Sequence, residues 1–157
     1  MPSQKLQPSR ALAVIPSDDA NVPFPAVVTS GTNTSTTALK LINSAATFVT
    51  SNVKPQDIVY NITDSTAATV LTVDNQTTLT LNANIFTAGS KSYIIYDAES
   101  PNEGSVLYIG GAGNLNVMTA AGDTVLFTGL SAGSFVPVQV VKILSTNTTA
   151  TLVLALW

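Results

Sequence analysis

Apolar residues in this chain alternate with polar ones in short runs and seldom recur at helical spacing. No stretch long enough for a helix keeps apolar side chains at i, i+3, i+4 and i+7 without a β-branched residue or glycine interrupting it. The nearest approach is Ala38–Thr50, which reads as a short helix or as a strand followed by a turn, and Thr47-Phe48-Val49-Thr50 favours the extended form. Elsewhere, runs of Val, Ile, Thr and Tyr are punctuated by Gly, Asn, Asp and Pro. They predict strands near 38–42, 57–61, 67–73, 77–81 and 92–96, then at Ser105–Ile109, Leu115–Thr119, Thr124–Thr128, Phe135–Leu144 and Thr148–Trp157. The expected class is all-β, a sandwich or barrel.

Composition shifts suggest where the pieces divide. Residues 1–29 hold five of the eight prolines and predict an extended N-terminal arm that joins the main β domain, with one short strand at Ala11–Ile15. Leu12, Val14, Ile15 and Phe24 are its expected contacts. Residues 30–98 read as a small β-barrel, whose turns at Thr63-Asp64-Ser65 and Asp74-Asn75 suit meandering hairpins. After the polar connection Glu99–Gly104, residues 99–157 form the main β domain. No repeat of solenoid or propeller length is visible.

The last strand is apolar on both faces. Alternation puts Leu152, Leu154 and Leu156 on one side and Thr151, Val153, Ala155 and Trp157 on the other. Burying one such leucine stabilises by roughly 1.5–3 kcal/mol, so a row of them left in water is a liability. The strand therefore predicts a central position or a subunit contact. The expected assembly is a homotrimer or homopentamer through Val136, Val138, Leu152, Val153, Leu154, Leu156 and Trp157.

Composition narrows the chemistry. The 157 residues include no His and no Cys, which removes His-based triads, thiol nucleophiles, zinc fingers and disulfides. Only 10% of residues are charged, with six basic and nine acidic side chains. The basic residues are scattered, so no nucleic-acid partner is expected. Met1-Pro2-Ser3-Gln4-Lys5 opens no signal peptide and no apolar run reaches membrane-spanning length, so the expectation is a chain made in a cytoplasm with no membrane partner.

Each local candidate for chemistry has a plainer account. Asp18-Asp19 before Pro23 suits a solvated turn better than a cation site. Asp64 and Asp74 flank the strand at 67–73 as a glycosidase pair would, yet each sits in a turn sequence of its own. Gly110-Gly111-Ala112-Gly113-Asn114 lacks the Lys-Ser/Thr of a phosphate cradle and reads as a wide hairpin turn. The acceptor triplets at Asn33, Asn61, Asn75 and Asn147 read as unmodified turns, and Tyr60, Tyr93, Tyr96 and Tyr108 as sheet residues rather than a sugar platform. No catalytic residue, cofactor or metal is assigned.

The order of motifs late in the chain resembles a family. Tyr108-Ile109-Gly110-Gly111-Ala112-Gly113-Asn114, Gly122-Asp123-Thr124-Val125, Ala132-Gly133-Ser134-Phe135-Val136-Pro137 and the final Ala155-Leu156-Trp157 follow in the order seen in small tailed-phage and gene-transfer-agent head-spike base proteins. Ile15-Pro16-Ser17-Asp18 is similar to that family's N-terminal segment. Residues 30–98 resemble a β module recurrent in phage virion proteins, through Asp57-Ile58-Val59-Tyr60-Asn61 and Leu79-Thr80-Leu81, and the two resemblances together imply that this small β-barrel domain is inserted into the main β-sandwich or barrel domain. The resemblance implies a virion structural protein on the capsid exterior, a head-spike base or a decoration or cement protein. It would bind itself and the major capsid protein or other virion subunits. A tail-fibre or baseplate adhesin for host glycans is the alternative.

Overall fold

The computed structural model describes residues 8–98 and 104–157. Among them there are twelve strands and no helix, in chain order β1 (Ala11–Ala13), β2 (Val27–Thr32), β3 (Lys40–Ile42), β4 (Ile58–Asn61), β5 (Thr66–Asn75), β6 (Thr78–Leu81), β7 (Ser92–Tyr96), β8 (Ser105–Gly111), β9 (Gly113–Thr119), β10 (Thr124–Leu130), β11 (Phe135–Ile143) and β12 (Thr151–Leu156). They form two six-stranded antiparallel sheets, ordered β1-β12-β8-β11-β9-β10 and β2-β7-β4-β5-β6-β3. The all-β class follows from the alternation described above. The chain divides into two compact units, Met1–Val14 with Pro101–Trp157 and Ile15–Ser100, so the second unit is inserted between β1 and β8 of the first.

In the first unit, alternation decides what is inside. Leu107 and Ile109 of β8, Leu115 and Val117 of β9, Val136, Val140 and Ile143 of β11, and Val153 and Ala155 of β12 are buried together. The glycine-rich segment at 110–114 is not a hairpin turn. β8 and β9 are not paired with each other but flank β11 on opposite sides, and only Ala112 separates them. One long strand bends at that corner and curls the sheet. Gly113 is required there because a Cβ would lie 2.5 Å from the Ala150 nitrogen and 2.6 Å from the Thr149 carbonyl carbon. Asn114 fixes the same corner, its carbonyl accepting from the backbones of Thr149 and Ala150.

The second unit encloses Leu41, Phe48, Val59, Val70, Leu79, Leu81, Phe86, Tyr93 and Ile95. Tyr93 is packed against the rings of Phe48 and Phe86, and its hydroxyl accepts from Asn43 Nδ2 at 2.9 Å. Gly31 in β2 leaves room for that bond, since a Cβ there would come within 2.8 Å of both polar atoms. The segment 38–50 takes the extended form, β3 followed by turns. Asn33 and Asn61 are buried and bonded to neighbouring backbone, Asn33 Nδ2 to Ala88 O and Asn61 Nδ2 to Ile85 O.

The arm is shorter than the sequence suggests. Residues 15–29 belong to the second unit: Ser17 Oγ donates to Ala67 O, Thr69 Oγ1 and Asn82 Nδ2 both donate to Asp19 O, and Val27–Thr32 pairs with β7. Of the expected arm contacts, Leu12 and Val14 therefore run beside β12, whereas Ile15 and half-buried Phe24 lie in the second unit. Pro2 and most of the connection Glu99–Gly104 lie outside the described residues.

Candidate interaction surface

The carboxylates are separated by the fold. Asp64 lies in the turn before β5 and Asp74 near its far end, roughly 30 Å of extended chain away. A glycosidase pair stands about 5–10 Å apart. Each carboxylate is held by its own lysine. Asp64 accepts from Lys91 Nζ at 2.8 Å and from Asn61 Nδ2 at 2.9 Å, which hold it below the ordinary carboxylate range. Asp74 accepts from Lys40 Nζ at 2.6 Å, and Thr72 and Thr80 add hydroxyl donors, with the same direction of shift.

Asp57 is the acid that sequence patterning missed. It is buried, and burial pushes its carboxyl up; backbone N–H groups of Lys54 (2.8 Å) and Ala98 (3.3 Å) partly oppose this, while the like charge of Asp97 adds to it. The two acids border a cleft of about 260 Å³ that also takes in Ser51, Asn52 and Lys54. Among the described residues, no three Asp or Glu side chains converge as a cation cage would require. Tyr60, Tyr93 and Tyr96 are buried in the second unit, so none of the three offers a ring face to a sugar.

The outward face of the first unit is different in kind. Val153 and Ala155 point inward, so β12 turns Leu152 and the half-buried Leu154 and Leu156 to the other face, beside half-buried Val106 and Tyr108 of β8. Register extends that face sideways. Leu154 stands opposite Tyr108, and Tyr108 opposite Phe135, giving a row across β12, β8 and β11; Leu156 stands opposite Val106 on one side and Ala11 on the other. The Tyr108 and Phe135 rings meet edge to face at 5.3 Å, with Phe135 62% exposed. No position in these rows carries a charge.

Leu152 is 78% exposed and sits at φ 52°. Among the described residues it is the one non-glycine position inside a strand with left-handed backbone. A left-handed residue with a Cβ costs roughly 1–2 kcal/mol. Opposite it stands Gly110, where a Cβ would fall 2.7 Å from Leu152 Cβ.

The residues singled out from sequence as one interface thus divide. Leu152, Leu154 and Leu156 lie outward; Val136 and Val153 are core; Val138 is half-buried on β11; and Trp157 is half-buried, its backbone paired with Arg10. Sequence spacing does not disclose Tyr108 and Phe135 as partners of the leucine row, because only the β8-β11 register brings them beside it. At the sheet's other end the edge strand β10 exposes Val125 and Leu126. No family model, no curated protein and no solved structure matches this chain.

Proposed function

We propose that this chain is a structural protein of a bacteriophage virion, seated on the capsid exterior as a head-spike base or as a decoration or cement protein. It acts by binding copies of itself and shell subunits, without a chemical step. The observation that carries this reading is the outward apolar face of the first unit, uncharged across its paired rows and holding Leu152 in a strained conformation. Apolar patches with exposed side chains such as Leu152 and Phe135 often mark contacts. The low charge of the chain and the ordered motifs between Tyr108 and Trp157 support the same reading.

One observation favours an adhesin. The exposed edge of the Tyr108–Phe135 pair could stack on a sugar ring, as aromatic faces do at glycan sites. Gold labelling of intact phage particles with antibody to this chain separates the two. Label on the head supports the capsid role, label on the tail transfers the chain to the adhesin class, and particles free of label overturn both.

A further inference from the structure

We infer that Asp57 is a proton-operated latch, which closes the cleft beside β2 in the second unit and releases Ala98 as the pH rises. The inference concerns that unit by itself and is independent of the capsid role.

The latch is visible in the bonding. One oxygen of the Asp57 carboxyl accepts from the backbone N–H of Lys54 at 2.8 Å, and the other from that of Ala98 at 3.3 Å, 41 residues away. A single side chain thus fastens the segment after β7 to the turn that leads into β4. That turn is strained. Asp57 N–H donates to Lys54 O, and between them Gln56 sits at φ 80°, a left-handed position where glycine or asparagine is usual. Such backbone persists where its surroundings hold it, and the Asp57 carboxyl closes the turn from the opposite side.

The neighbouring bonds keep the movement small. Gln56 N–H donates to Val70 O, Val70 N–H to Asp57 O, and Asp97 N–H to Ala26 O. None of these uses the carboxyl, so the turn and Asp97 stay anchored when it lets go. What is freed is Ala98, the last described residue before the connection.

Asp57 is 1% exposed, yet it borders the cleft of about 260 Å³. A charge held there is short of water that a slight opening would supply. Asp97, just after β7, sets a like charge near it, and Lys54 on its own turn an opposite one. The other residues of the cleft, Val27 and Val28 of β2 with Ser51 and Asn52, are uncharged, as is Val70 of β5. Burial, with Asp97 added, outweighs Lys54 and the two N–H donors, so the closed latch holds its proton to a higher pH than an ordinary aspartate. An open, hydrated Asp57 gives the proton up earlier. Opening therefore becomes easier as pH climbs from the ordinary aspartate range through the titration of the closed form, and levels off above it.

The test is amide exchange of the full chain, followed by NMR from about pH 4 to 7 and expressed as protection relative to the intrinsic rate. Ala98 should be less protected than Leu81, a core amide that donates to Leu39 O, and its protection should fall about threefold or more across this range. Asp57→Asn should abolish the dependence on pH. Because that change also alters the bonds to Lys54 and Ala98, two further variants leave Asp57 in place: Asp97→Asn should move the fall to lower pH, and Lys54→Gln to higher pH. Ala98 exchange that follows Leu81 at every pH overturns the inference, since Ala98 would then open only with the whole unit. So does protection that stays flat in the parent, a fall that survives Asp57→Asn, or one that Asp97→Asn does not move.

Discussion

Replacing Leu152 should raise the stability of the first unit, against the usual cost of shortening an apolar side chain. The side chain is 78% exposed, so truncation forfeits about a fifth of a leucine's burial energy, roughly 0.3–0.7 kcal/mol. The backbone at φ 52° costs a residue with an ordinary Cβ roughly 1–2 kcal/mol. Asparagine tolerates that conformation because its short polar side chain bonds locally. Leu152→Asn therefore gains about 0.5–1.5 kcal/mol on balance. Leu152→Ala loses the same packing and relieves nothing, so it should fall slightly below the parent. For a unit of this size the Asn gain corresponds to a rise of roughly 2–10 °C in Tm. Trp157 is the chain's single tryptophan and belongs to the first unit, so its fluorescence follows that unit alone. Melts at a few micromolar keep association out of the measurement. An Asn variant that melts below the Ala variant would refute the strain reasoning.

Gly113→Ala should destabilise the first unit by about 2 kcal/mol or more, because its Cβ meets the backbone of Thr149 and Ala150 rather than a movable side chain, and the same Trp157 melt reads it. In the second unit, Tyr93→Phe and Asn43→Ala should each cost about 1–3 kcal/mol and together less than their sum, since both delete one buried hydrogen bond; urea unfolding followed by tyrosine fluorescence gives the cycle. Asp57 titrates above an unfolded aspartate, so the folded chain holds the proton more tightly between the two values. Its contribution to stability is present at low pH and is lost as pH rises through that interval. Asp57→Asn should flatten this slope relative to the parent in urea titrations from about pH 3.5 to 7. Ser105→Ala should be neutral or stabilising in thermal melts, because the buried hydroxyl has no hydrogen-bond partner.

Much of the strand pattern is readable because period-two alternation is local: β4, β6 and β7 fall within a residue of where Val, Ile, Thr and Tyr predict them. What escapes a local reading is long-range. β2 is hidden because Ser30 and Gly31 look like loop, yet Gly31 is there to clear the Tyr93–Asn43 bond, which joins residues fifty positions apart. The glycines at 110–113 look like a turn, and nothing nearby discloses that β11 will lie between the strands they join. Asp57 is invisible as a buried acid because its second N–H donor, Ala98, is 41 residues away. The outward leucines are legible from alternation, whereas Tyr108 and Phe135 join them only through the register of strands that sequence spacing does not set.

The pairing of β1 with β12 orders events during synthesis. Ala13 stands opposite Leu154, about 140 residues later, so β1 has no partner strand until nearly all of that sequence has been translated. At roughly 5–20 residues per second this is a wait of about 7–30 s. The inserted unit, contiguous from Ile15 to Ser100, has all its strands available well before then. It can fold first and hold β1 at its upstream end while the curled sheet is still being made. The leucine face comes into being only when β12 enters that sheet, so nascent chains pass most of their synthesis without that apolar surface.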